Sequence, residues 1–194
     1  MPPGQQASGS PAESEAGDPE AQARQICLRQ LAIAPRTRAQ LAAALRRRNI
    51  PAEAAEAVLA RFSDVGLIDD AAFARAWVES RHYSRGLSRR SLSAELRRQG
   101  IEIEQIHEAV DTLGPEQEVA TARRLVEQKM AGTRGLPPEA RVRRAAGTLA
   151  RKGYPPGLVF RLIKEVLEQE GSQSTLDVLD LDPDQYLDPD ETGG

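Results

Sequence analysis

The amino-acid sequence predicts an all-α protein, an elongated array of three tandem three-helix repeats lying between two disordered acidic tails. Three observations lead there. Apolar residues make up 40% of the 194-residue chain but aromatic residues only 4%, and Ala and Arg are abundant where β-branched residues are thin, a balance that favours helix over sheet. Between the tails, apolar residues recur three and four apart, the spacing of one helix face. Finally, a similar segment recurs along the chain at offsets of 51 and 53 residues, long enough for three short helices per unit.

The segments follow in order. Residues 1–20 are mostly Pro, Gly, Ser, Ala and Glu, with four acids and no Lys or Arg, too polar to repay the entropy of ordering. The first repeat spans 21–68, with a helix over 21–34 and the segment LAAALRRRNIPAEAAEAVLARF at 41–62. The second spans 69–114, with a helix over 70–83 and LSAELRRQGIEIEQIHEAVDTL at 92–113. The third spans 115–171, with a helix over 116–130 and AAGTLARKGYPPGLVFRLIKEV at 145–166. In these segments Leu45, Leu96 and Leu149 correspond, as do Arg47, Arg98 and Arg151, and the turns read Asn49-Ile50, Gly100-Ile101 and Gly153-Tyr154. Asn and Gly tolerate the left-handed backbone that closes a helix, so the turn chemistry repeats with the apolar stripe. The third copy departs most, with Ala145 at a seam position and Pro155-Pro156 opening the last helix. The final segment, 172–194, holds seven acids and no base, interrupted by Pro183 and Pro189.

The formal charge of -3 hides a division. With eleven acids in the tails, 18 of the 29 acids and all 26 bases fall in 21–171, a strongly basic body suited to a polyanion or an acidic protein surface. Only Lys129, Lys152 and Lys164 are lysines; the rest are arginines, whose planar fork matches phosphate or carboxylate. The middle unit concentrates them. Asp69 or Asp70 is placed to cap its first helix, on which Phe73 and Trp77 share a face expected to pack inward. Gly86 then breaks the chain, Ser88 caps the next helix, and Leu92 and Leu96 form that helix's buried seam, ended at Gly100. Arg89, Arg90, Arg97 and Arg98 fan over the adjoining surface, joined by Arg75, Arg81 and Arg85 from the preceding helix. With Tyr83, Arg47, Arg151 and Lys152, these are the candidate partner-binding residues.

Other chemistries find little material. One cysteine, Cys27, excludes an internal disulfide and reads as a small buried hydrophobe; His82 and His107 have no cluster of ligands at metal spacing, so no metal or other cofactor is expected. Gly132–Gly135 lacks the Gly-Lys-Ser/Thr run of a phosphate loop and reads as a linker. No nucleophile–base pair stands out, so a non-enzymatic role is expected. No window approaches a membrane span and the start has no signal-peptide pattern, which together predict a cytoplasmic protein.

The run LIDDAAFARAWVESRHYSRGLSRRSLSAELRRQGI resembles the central motif of the RecX family, bacterial regulators of the RecA recombinase. The matching elements are Asp69-Asp70, Phe73-Ala74, Trp77, Arg81, Gly86, Leu96 and Gly100-Ile101, and the resemblance extends over about 21–170. It implies a non-enzymatic protein that binds along the groove of the RecA–single-stranded DNA filament and restrains ATPase, strand exchange and coprotease activities, with RecA and the filament's DNA as partners. An elongated array touching successive protomers would gain affinity from several weak contacts held together. The competing reading is a helical nucleic-acid-binding module, such as a helix-turn-helix transcription regulator, acting directly on DNA; three like units without a distinct recognition helix or dimerisation element speak against it.

Overall fold

The protein is described by a computed structural model over residues 18–171. Within those residues it is all-α, with nine helices and no strand: α1 (Pro19–Ile33), α2 (Arg38–Arg46), α3 (Ala52–Asp64), α4 (Asp70–Arg85), α5 (Arg89–Arg98), α6 (Ile103–Asp111), α7 (Pro115–Ala131), α8 (Pro138–Ala150) and α9 (Pro156–Gln169). The chain divides into two compact units, Met1–Phe73 and Ala74–Gly194.

In the first unit α1, α2 and α3 pack on one another around Ile26, Cys27, Leu41, Leu45, Leu59 and Phe62. Helix α1 starts earlier than its apolar pattern shows. Asp18 accepts from the Glu20 amide at 3.0 Å and Pro19 pre-sets the first turn, so residues 18–20, assigned above to the disordered tail, are capped helix. The rest of the expected tails, 1–17 and 172–194, lies outside the described residues. Thr37 and Gln40 make a reciprocal capping box on α2. The Asp pair divides its labour: Asp69 accepts from the Ala72 amide at 2.7 Å as cap of α4, while Asp70 accepts from the Arg38 amide at 2.9 Å and ties the start of α4 to the start of α2.

The internal repeat is present down to individual hydrogen bonds. Leu45, Leu96 and Leu149 are each fully buried. Each helix is closed by the same six-residue bond, Ile50 N–H to Leu45 C=O at 3.2 Å, Ile101 to Leu96 at 3.2 Å and Tyr154 to Leu149 at 3.1 Å. The residue before each donor has a left-handed backbone, with φ of 56° at Asn49, 77° at Gly100 and 83° at Gly153. After the turn, Val58/Ala109/Leu162, Leu59/Val110/Ile163 and Phe62/Leu113/Val166 are all buried, as the aligned stripe predicts.

In the second unit α5 packs on α6, and α7, α8 and α9 pack on one another around Val126, Met130, Val142, Leu149, Leu162 and Leu167. Here the expected inward face of α4 is corrected by one residue. Phe73 and Trp77 are half-buried, and the buried face is Ala74, Val78 and His82. All three are spaced four apart, and the small Ala74 and Val78 let the helix approach closely while the large rings ride on its flank.

A polar joint binds the α4–α5 corner to the third repeat. The His82 Nδ1 lies 2.9 Å from the Leu87 carbonyl, which can only accept, so that nitrogen carries the proton and Nε2 accepts from the Thr121 hydroxyl at 2.9 Å. The Ser88 amide donates to the Lys152 carbonyl at 2.9 Å, the Arg89 amide to Glu118 Oε1 at 2.8 Å, and the Tyr154 hydroxyl to the Gly86 carbonyl at 3.1 Å. Burial pushes the Tyr154 phenol above its ordinary 10, with Glu118 adding and Arg124 opposing. The unfolded chain therefore ionises first, and the stability that this hydroxyl contributes is complete below pH 10 and lost as pH rises toward the folded value. Tyr154→Phe is expected to cost about 1 kcal/mol at neutral pH. Urea midpoints taken on both sides of pH 10 should show the gap to the parent narrowing with rising pH; a gap that stays constant would mean that the hydroxyl is not held protonated in the joint.

Candidate interaction surface

Helix α5 is the most strongly arginine-faced element of the second unit, and its geometry follows from three anchors. The Ser88 hydroxyl caps it, accepting from the Ser91 amide at 3.2 Å; Leu92 and Leu96 are fully buried; and Gly100 supplies the turn that ends it. Because each residue advances about 100° around a helix, Arg90 and Arg97 share one azimuth across the helix from the leucines, with Arg98 about a quarter-turn further on. All three are exposed, and among the described residues none has a carboxylate partner. Arg89 differs, its guanidinium being paired with Asp111 of α6.

Between α4 and α5 lies a second basic group, organised by one acid. Glu95 accepts from the Trp77 indole N–H at 2.8 Å through one oxygen and from Arg85 at 3.2 Å through the other. The Arg81 guanidinium stacks 4.4 Å from the Trp77 ring centroid, a cation–π arrangement. Two of the predicted arginines, Arg81 and Arg85, are thus gathered around Trp77, while Arg75 is exposed elsewhere on α4. Glu95→Ala should leave the indole N–H without its acceptor and destabilise the chain by about 1–2 kcal/mol. Trp77 is the sole tryptophan, so its fluorescence reads this site directly: emission should move to the red, and unchanged emission would show that Glu95 does not hold the ring.

The other predicted residues sit as follows. Tyr83 projects from the last turn of α4 with 84% of its surface exposed. Arg47 is exposed at the end of α2 in the first unit, and Arg151 is exposed at the end of α8. Lys152 is half-buried and donates to the Arg85 carbonyl; burial first, and the Arg85 guanidinium second, hold its pKa below the ordinary 10.5. The sequence reading missed Glu95, Glu118 and the role of His82. Glu95 left a signal, as the only acid on a helix with four arginines, whereas the partners of His82 and Glu118 come from another repeat and leave none.

Among the described residues no group of His, Cys, Asp and Glu is placed to hold a metal ion, and no helix is long and apolar enough to cross a membrane. Cys27 is fully buried, and burial raises its thiol pKa, in line with a packing role. An open groove of about 480 Å³ runs along α7 beside Val119 and Ala120, but it gathers none of the residues above.

A chain of three like helical domains, closed by the same turn and carrying bare arginines on the middle one, is a tandem helical-repeat protein built to present a basic surface. Comparison with known proteins makes this specific. Models for the first, second and third three-helix domains of RecX match residues 23–62, 69–110 and 116–163. Regulatory protein RecX of Thermobifida fusca is 61% identical over 151 residues, covering 78% of this chain and 82% of the relative. Its counterpart from Streptomyces coelicolor is 58% identical over 157 residues, covering 81% and 84%. The crystal structure of RecX from Lactobacillus salivarius superimposes with a TM-score of 0.69 over 76% of this chain and 96% of that one; at 18% identity it speaks to the fold. A crystal structure of regulatory protein RecX gives 0.66 at 26% identity, covering 76% and 72%. The chain belongs to the RecX family of regulatory proteins.

Proposed function

We propose that this chain binds the RecA–single-stranded DNA filament and, without catalysing a reaction, restrains the ATPase, strand-exchange and coprotease activities of RecA. It would thereby modulate recombination, DNA repair and the SOS response, in the cytoplasm where the filament forms. Family membership supports the regulatory role; the observation that carries the contact surface is the set of bare arginines Arg90, Arg97 and Arg98 on the family-matched second domain. No carboxylate among the described residues holds these guanidinium groups, which leaves them available for charge-assisted bonds to phosphate or carboxylate. Arg75, Arg81, Tyr83, Arg85 and Arg89 are further candidate contacts in the second repeat, as are Arg47 in the first and Arg151 and Lys152 in the third. The units act as repeats over 21–68, 69–114 and 115–171, each adding a modest contact to successive protomers.

The test is binding to fluorescein-labelled single-stranded DNA, bare or coated with RecA, beside duplex DNA. The chain should associate with the coated strand at concentrations that leave bare strand and duplex free. Binding to duplex alone, unaffected by RecA and steeply salt-dependent, would replace this reading with a direct DNA binder.

A further inference from the structure

We propose that the acidic C-terminal segment, residues 172–194, docks on the arginine face of α5 and competes there with polyanionic partners. The inference rests on reading that face as an anion-binding surface, and it makes the chain its own competitor.

The charge pattern comes first. Arg90, Arg97 and Arg98 are exposed with no carboxylate partner among the described residues, although Arg85, Arg89, Arg123, Arg134, Arg141 and Arg161 all have one. The segment after Gly171 carries Asp177, Asp180, Asp182, Asp184, Asp188, Asp190 and Glu191 and not one base. No other stretch of this length in the sequence is so one-sided except the first twenty residues, which hold only four acids.

Reach comes second. Helix α9 begins directly after the Lys152–Gly153 turn, and that turn is joined to the start of α5 by the Ser88–Lys152 bond, with Ser88 and Ser91 so close to Gly153 that a Cβ there would meet them. The segment therefore starts just past one helix, α9, about 21 Å long for 14 residues, from the α5 joint. Its 23 residues can span about 75 Å when extended, well beyond the far end of α5. A tethered anion of this reach acts at an effective concentration of order 1 mM, enough for a weak patchwise attraction to occupy the site. The leucines between the acids, Leu179, Leu181 and Leu187, would find an apolar partner in Ile103, which is 41% exposed just past the turn that ends α5.

The experiment uses the full chain with Asp177, Asp180, Asp182 and Asp184 changed together to Asn, compared with the parent in the absence of RecA. Amide and arginine side-chain NMR signals of Arg89–Arg98 should shift on neutralisation. Affinity for a short heparin fragment at low salt should rise about five- to tenfold, as expected for removing a tethered competitor. The gain should disappear at high salt and in the Arg90→Ala/Arg97→Ala/Arg98→Ala background. Superimposable α5 signals would overturn the proposal, and so would an equal affinity gain in the triple-alanine background, which would mark general repulsion rather than docking. Because RecA is absent, either result is independent of whether the chain regulates the filament.

Discussion

The triple variant Arg90→Ala/Arg97→Ala/Arg98→Ala is expected to lose most of its inhibition of RecA while melting close to the parent. Each exposed charge contact in a protein interface is worth up to about 1 kcal/mol, the upper end holding for well-placed arginine forks. Three lost together amount to as much as about 3 kcal/mol, or roughly a hundredfold in affinity. The fold should not respond, because these side chains are exposed, have no carboxylate partner among the described residues and stand on a helix where alanine is the better former. Arg89→Ala is the informative control. It removes a guanidinium already paired with Asp111, so it should weaken inhibition far less than any of the three. Full inhibition by the triple variant, with helicity intact, would show that the partner lies on another face.

The largest effect on stability is expected at Gly153. Its φ of 83° is closed to most side chains, and a Cβ there would lie 2.6 Å from the Ser88 hydroxyl and overlap that of Ser91. Ser88 cannot simply rotate away, because its oxygen caps α5. Left-handed strain of about 1–2 kcal/mol and loss of the cap, about 1 kcal/mol, place Gly153→Ala near 2–3 kcal/mol. Gly66→Ala separates the two causes. Its φ is 73° but nothing lies within 4 Å of the added methyl, so only the strain remains. Urea denaturation of both variants should rank Gly153→Ala clearly below Gly66→Ala; equal losses would mean that the joint between the second and third repeats yields without cost.

What could be read beforehand was whatever one repeat decides for itself. Leu45, Leu96 and Leu149, the turns at Asn49, Gly100 and Gly153, and the Ser88 cap depend on neighbours within a few residues, and all were legible. Trp77 was misplaced because helical spacing says which residues share a face but not which of two adjoining faces turns inward; Ala74, Val78 and His82 won because small side chains allow closer packing. The joint formed by Gly86, His82, Thr121, Lys152 and Tyr154 was invisible, since each bond there links residues far apart in sequence. For the site, the abundance of arginine was plain, but not its partition. Arg85 and Arg89 are paired with Glu95 and Asp111, whereas Arg90, Arg97 and Arg98 have no carboxylate partner among the described residues, and only packing distinguishes the two groups.

That partition has a consequence for mechanism. Glu95 and Asp111 hold two arginines by charge and the Trp77 ring holds Arg81, so the three arginines without a carboxylate partner stand beside side chains that are already fixed in place. Such a frame holds the binding groups in place before contact and reduces the ordering cost of binding.

Regulation of the filament is decided by ATP hydrolysis by RecA on single-stranded DNA, titrated with this protein well below one molecule per RecA. A regulator seated on the filament should suppress hydrolysis at such ratios, because one bound molecule acts on many protomers through the polymer. Undiminished hydrolysis even at equal amounts would contradict the account and leave family membership describing the fold without the proposed activity.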